Sequence, residues 1–172
     1  MSTYGSYFIL RATANKALVW DASPLRGSRP HSLIVMQHDK TTYEIDGAYF
    51  STLEGFYEEV SNKLIPGALW GKNLDAFNDI LRGGFGTPDG GFVLKWRNSK
   101  LSRERLGYAE TVRQLERRLQ RCHPSNRESV SKDLANAKQG IGPTVYDWLI
   151  EIIGAHGVGG EEQEDGVGLV LE

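Results

Sequence analysis

Between residues 42 and 97, the spacing of the apolar residues changes from that of a strand to that of a helix and back. Residues 42–46 predict a strand that ends at the turn Asp46-Gly47, and residues 51–64 predict an amphipathic helix. Residues 92–97 predict the next strand. Strands that alternate with helices are joined by right-handed crossovers, so this part of the chain is expected to form a parallel sheet.

A second, shorter helix is predicted between these two strands. Asn73 is a favourable N-cap, and the glycines after Arg82 suit a left-handed C-terminal cap. Asp75 and Asp79 lie four residues apart, so both carboxylates belong to one exposed face of the helix. Like charges held this close indicate a partner that supplies cations, and Arg82 is the nearest cation along this surface. The opposite face is the apolar stripe Leu74, Phe77, Ile80 and Leu81.

The C-terminal part of the chain completes the sheet. Residues 144–156 predict a helix, and residues 167–171 predict a third strand. The acidic run 161–165 between them is expected to be a solvated loop, and His156 is expected to interact favourably with the helix dipole. The predicted fold is therefore α/β, with a three-stranded parallel sheet flanked by helices.

Two regions lie outside this core. Residues 1–40 contain three short apolar runs separated by turn residues, which predict an added N-terminal antiparallel β element. Residues 41–172 are expected to be the main domain, with a helical insertion at about 100–143. The insertion is expected to contain helices near 108–122 and 126–139, the first with its arginines directed outward.

The charges are strongly segregated although the net charge is only −2. Residues 100–143 hold ten Lys and Arg against five Asp and Glu, whereas residues 144–172 hold seven acids and no Lys or Arg. A basic helix face suits nucleic acid, but this one lacks interleaved aromatic residues and a known recognition motif. A solvated face is the simpler interpretation, and an electrostatic partner such as the chain's own acidic tail is the alternative.

Composition and spacing disfavour several other classes of protein. The single cysteine, Cys122, excludes an internal disulfide and favours a cytoplasmic location. No apolar run reaches the ~18–20 residues of a membrane helix, and no signal peptide or cofactor motif is expected. The glycine-rich loop 83–91 follows a helix and precedes a strand, the reverse of a nucleotide-binding loop. Asp75 and Asp79 lack the burial that separates a catalytic acid from a base, so an enzyme is not expected.

Several motifs, in order, resemble the barstar family, proteinaceous inhibitors of bacterial ribonucleases. Gly71-x-Asn73-x-Asp75-Ala76-Phe77 followed by Asp79 resembles the family's signature helix. Residues 42–47, 92–97 and 167–171 resemble its three strands. The resemblance covers about half of the chain and implies the same parallel α/β fold.

The resemblance also implies a set of site residues. The family's key helix aspartates fall on Asp75 and Asp79, and the acid on its last helix falls on Glu151 or is replaced by Gly154. The chain departs from the family where Leu69-Trp70 replaces two aromatic residues and where Asn78 replaces another. These departures imply a different target enzyme. The implied partner-binding residues are Leu69, Trp70, Gly71, Asn73, Asp75, Asn78, Asp79 and Glu151.

The function implied is inhibition of a basic bacterial ribonuclease, as toxin immunity or self-protection. Carboxylates on a helix would occupy a site that normally holds a phosphate. Residues 100–143 would then offer additional contact. The alternative is a barstar-fold module that binds another protein, such as a DNase toxin or a regulatory protein. A third possibility is direct nucleic-acid binding by residues 100–138. An inhibitor of a ribonuclease is not expected to bind nucleic acid directly.

Overall fold

A computed structural model describes residues 40–84 and 86–172 of the chain. The predicted N-terminal β element lies outside the described residues. Within the part of the chain that the structure describes, no helix is both long enough and apolar enough to cross a membrane.

Three parallel strands form one sheet, as predicted. Strands β1 (Thr42–Asp46), β2 (Val93–Arg97) and β3 (Gly168–Leu171) follow the order β1-β2-β3, so β2 is central. Ile45 is in register with Trp96, and Leu94 is in register with Leu169. Ile45, Leu94 and Trp96 are fully buried because they point toward the helices.

Helices connect and cover the strands. Two helices lie between β1 and β2, and the others lie between β2 and β3, which confirms the predicted α/β architecture. The helices are α1 (Leu53–Lys63), α2 (Leu74–Leu81), α3 (Ser99–Arg105), α4 (Tyr108–Arg121), α5 (Arg127–Lys138) and α6 (Val145–Ala155). Short 3-10 turns lie at Pro124–Asn126 and Gln163–Asp165.

An aromatic cluster joins the helices to the sheet. The ring of Phe56 on α1 lies 5.1 Å from that of Phe77 on α2 and 5.4 Å from that of Trp96 on β2. The Trp96 ring also lies 5.3 Å from that of Tyr146 on α6. All four side chains are almost completely buried. Helix α2 is therefore attached through Phe77 to a packed core that restrains its apolar face.

Helix α1 begins at Leu53, two residues after the start of the predicted helix 51–64. Thr52 is the N-cap, and its side chain accepts a hydrogen bond from the amide of Gly55. The carboxylate of Glu54, in the first turn of α1, forms ion pairs with Arg113 and Arg117 of α4.

These ion pairs correct two expectations about residues 100–143. Arg113 and Arg117 are half-buried and pair with Glu54, and Arg113 also pairs with Glu110, so neither is an outward arginine. The basic helix is paired in part with α1, and no described residue of the acidic loop 161–165 pairs with it. Helices α4 and α5 pack through a small apolar cluster centred on Leu115, Val130 and Ala137.

Candidate functional site

The predicted cap of α2 is confirmed. The side-chain oxygen of Asn73 accepts a hydrogen bond from the amide of Ala76 at 2.8 Å. Gly71 allows close approach in the turn before α2, because a Cβ atom at this position would lie 2.9 Å from the side-chain Nδ2 atom of Asn73 and 3.3 Å from the Ala76 methyl. Lys72 between them adopts a positive φ of 43°. The start of α2 is thus held in one specific conformation.

Asp75 and Asp79 are exposed on the outer face of α2, as expected. Asp75 forms no ion pair with any residue that the structure describes. Asp79 has one partner among the residues that the structure describes: its Oδ1 atom accepts a hydrogen bond from the Nη1 atom of Arg82 at 2.9 Å. The exposed face of α2 therefore carries two carboxylates: Asp79 is paired with Arg82, and Asp75 has no ion-pair partner among the described residues.

Arg82 connects α2 to the acidic loop before β3. Its Nε and Nη2 atoms donate to the two carboxylate oxygens of Glu162, each at 2.7 Å. These hydrogen bonds lower the pKa of Glu162 and raise that of Arg82. The bidentate pair fixes the plane of the guanidinium, and with it the position from which Arg82 contacts Asp79.

The acidic loop 161–165 was expected to be solvated, but two of its residues are hydrogen-bonded to other parts of the protein: Glu162 to Arg82 and Asp165 to His156. His156 at the end of α6 is fully buried, and its Nδ1 atom lies 2.6 Å from Oδ2 of Asp165. Its Nε2 atom lies 2.9 Å from Oδ1 of Asn78, on the inward side of α2. His156 follows Leu149 and Ile153 at helical spacing on the buried face of α6, which is the sequence signal that could have indicated its burial.

The same cluster contains potential metal ligands. One ligand atom from each of His156, Glu162 and Asp165 can be chosen so that all lie within 4.8 Å of one another. Each of these atoms already has a protein partner, since Glu162 holds Arg82 and Asp165 holds the imidazole. The hydrogen bonds explain this arrangement without an ion.

Leu69 and Trp70 differ sharply, although they are adjacent in the predicted binding loop. Leu69 is 97% exposed and does not belong to the side chains that pack against the described core. Trp70 is half-buried; its ring packs edge-on against Tyr57 at 5.4 Å, and its Nε1 atom donates to the Ser61 hydroxyl at 2.8 Å. Trp70 therefore anchors the loop to α1, whereas Leu69 is free for a partner.

Asn78 and Glu151 are the two remaining predicted site residues. Asn78 is half-buried, and its amide oxygen is engaged by His156 rather than displayed outward. Glu151 is exposed on α6 and has no ion-pair partner among the described residues, and Gly154 is also exposed. Asn78 therefore helps to hold α2 against the end of α6, and Glu151 remains exposed on the surface.

These features define a small α/β protein with a parallel sheet and an acidic helix anchored at its inner face. A family model described as Barstar (barnase inhibitor) matches residues 41–133, more than half of the 172-residue chain. The chain belongs to the barstar family, which confirms the resemblance found in the sequence. A search of curated proteins finds no match.

Proposed function

We propose that this chain inhibits a bacterial ribonuclease by placing the face of α2 that carries Asp75 and Asp79 into the enzyme's active site. Membership of a family of barnase inhibitors supports this proposal. The observation that carries it is the pair of exposed carboxylates on a helix whose other face is packed and hydrogen-bonded. A site that binds phosphate concentrates cations, and carboxylates held at fixed positions can replace the phosphate there.

The rigidity of α2 supports this role. Phe77 fixes the helix to the core, Asn78 is bonded to His156, and Arg82 is bonded to Glu162. A partner then binds carboxylates that are already in place, so less conformational entropy is lost on association. Arg82 remains beside Asp79 and offsets part of its charge, so the partner's cations must compete with this guanidinium.

As an inhibitor, the chain would have no catalytic role of its own. Residues 41–172 would form the inhibitory domain with 100–143 as an insertion, and Glu151 would add an outer contact. The protein would act in the cytoplasm, where a self-made or incoming ribonuclease attacks RNA. Binding of the nuclease would involve neither a membrane nor direct contact with nucleic acid.

One observation favours a target other than the enzyme bound by the well-studied family members. Trp70 is attached to Tyr57 and Ser61, and Asn78 is turned toward His156, so neither offers a free aromatic surface at the helix. Leu69 is the exposed apolar side chain that remains. A DNase toxin or a regulatory protein is the alternative target that this changed surface leaves open.

The test is affinity capture from the producing cell, with the wild type and with Asp75→Asn/Asp79→Asn as bait. The matched control is Glu104→Gln/Glu128→Gln, which removes two exposed carboxylates outside α2. Captured proteins are identified and assayed for cleavage of RNA and of DNA. We expect the wild type and the control to retain a ribonuclease that the aspartate variant loses. Equal retention by all three baits would reject α2 as the binding site, and capture of a DNase alone would establish the alternative.

A further inference from the structure

A groove of about 580 Å³ lies beside the predicted inhibitory loop. Asn73 and Asp75 form one side, and the arginine-bearing face of α4 forms the other. Helix α1 contributes Tyr57 to the lining, and α6 contributes Trp148. The groove is therefore continuous with the site already described, but six of its fourteen lining residues belong to the segment predicted to be an insertion.

The α4 side of the groove carries two cations that have no partner among the described residues. Arg117 is paired with Glu54. The side chains of Arg118 and Arg121 are exposed, and their guanidinium groups form no ion pair or hydrogen bond with any residue in the described ranges 40–84 and 86–172. Two free guanidinium groups on adjacent turns of one helix can hold carboxylates through charge-assisted, bidentate hydrogen bonds.

The rest of the lining is mixed in a way that distinguishes between anionic ligands. Leu115 is buried, and Trp148 is half-buried, so the groove can also accept an apolar side chain. Asp75 adds a negative charge to the same lining, whereas the charge of Glu54 is compensated by its arginine partners. A polyphosphate is charged along its whole length and must also lie near Asp75, whereas a protein segment can place carboxylates only at the arginines and its apolar side chain over the indole.

We propose that this groove is a second contact surface, which receives an acidic segment of the target protein that also bears a large apolar side chain. The inference rests on the proposed function and specifies its partner: a nuclease with a basic active site and an acidic segment beside it. A specific complex typically buries about 800 Å² on each partner, more than one exposed face of an eight-residue helix provides. Opposite charges on the two halves of the interface would also fix the orientation of the target.

The groove can be tested without the nuclease, through the indole signal of Trp148 in NMR titrations. The probes are a short amphipathic peptide of Leu, Glu and Ala, the same peptide with Lys in place of Glu, and oligouridylate. We expect saturable binding of the acidic peptide alone. Arg118→Glu/Arg121→Glu should weaken it at least about tenfold, since two attractive pairs become repulsive. The control Arg127→Glu/Lys132→Glu makes the same change of charge on α5, outside the groove, and should bind as the wild type does.

Either of two outcomes would overturn the proposal. One is tighter binding of oligouridylate that depends on Arg118 and Arg121, because the surface would then be a nucleic-acid site. The other is the absence of saturable binding by the acidic peptide. Asp79→Asn separates this result from the inhibitor proposal, because Asp79 does not line the groove. That variant should bind the peptide normally while its inhibition of the captured nuclease falls.

Discussion

The imidazole of His156 and the side chain of Asn78 are joined by a 2.9 Å contact between Nε2 and Oδ1, although 78 residues separate them in the sequence. This contact connects the end of α6 to the inward side of α2. Because the same imidazole also holds Asp165, one buried ring links α2, α6 and the loop before β3. The position of the acidic helix therefore depends on a residue outside it.

Replacing this ring should destabilise the fold. His156→Ala leaves a cavity and removes a partner from both Asn78 and Asp165, so the free energy of unfolding should fall by about 2–4 kcal/mol. His123→Ala is the control, because His123 is exposed and its ring caps only the short turn Pro124–Asn126, so it should change the value by about 1 kcal/mol or less. Urea denaturation measures both. Equal stability of the two variants would contradict the assigned role of His156.

Substitutions of Trp70 and Leu69, which are adjacent in the predicted binding loop, should have different effects: the first on stability and the second on inhibition. Trp70→Ala removes the ring packed on Tyr57 and the hydrogen bond to Ser61, so it should lower the free energy of unfolding by about 2 kcal/mol. Leu69→Ala should change it by less than about 0.5 kcal/mol, since Leu69 is exposed. Leu69→Ala should instead weaken inhibition of the captured nuclease. The reverse pattern in the two assays would show that the roles are exchanged.

Stability should depend on pH through Glu54. Burial raises the pKa of this carboxyl, but hydrogen bonds from Gln114 and Arg113 outweigh that effect and lower the pKa to about 2. A group whose pKa is lower in the folded state stabilises the protein above the unfolded-state pKa, and this contribution is lost as the pH falls toward the folded value. The free energy of unfolding should therefore decrease between about pH 5 and pH 2.

Glu54→Gln should reduce this pH dependence. Because the side chain of Glu54 is 44% exposed, solvent screening limits its part of the decrease to about 1 kcal/mol. The control Glu128→Gln removes an exposed carboxylate for which the described residues offer no partner, and its pH profile should match the wild type. Identical profiles for all three proteins would show that the ion pairs with α4 do not stabilise the fold.

The close approach of two loops should make Gly91 sensitive to substitution. A Cβ atom at Gly91 would lie 2.3 Å from the carbonyl oxygen of Gly166, and the backbone φ is +82°. Gly91→Ala should therefore cost about 2 kcal/mol or more. Gly90→Ala has open space at its Cβ position and should be neutral or slightly stabilising. Thermal unfolding of the pair tests the contact, and an unchanged midpoint for Gly91→Ala would refute it.

The sequence was sufficient for the elements whose signals are local. The three strands follow from the strand-like spacing of their apolar residues, and α2 follows from its apolar stripe and the Asn73 cap. Helix α3 was missed because Ser99–Arg105 is poor in apolar residues. Its position depends on tertiary contacts, including the hydrogen bond from the Trp96 indole to the buried hydroxyl of Ser102 and that from the Ser99 amide to the Glu172 carbonyl.

The candidate site likewise contains residues that the sequence could place and contacts that it could not. The exposed carboxylates of Asp75 and Asp79 could be placed from helical spacing alone. The contacts beneath them could not, because Arg82 meets Glu162 across 80 residues of chain and Asn78 meets His156 across 78. Such pairings depend on how the helices pack, and a single sequence carries no direct record of them.

The decisive measurement is a titration of the captured ribonuclease with this chain, with RNA cleavage as the readout. We expect equimolar wild type and the Glu104→Gln/Glu128→Gln control to abolish cleavage. The same amount of Asp75→Asn/Asp79→Asn should leave most of the activity, because the active-site cations then lose both carboxylate partners. Full cleavage in the presence of saturating wild type, or equal inhibition by the aspartate variant, would contradict inhibition through α2.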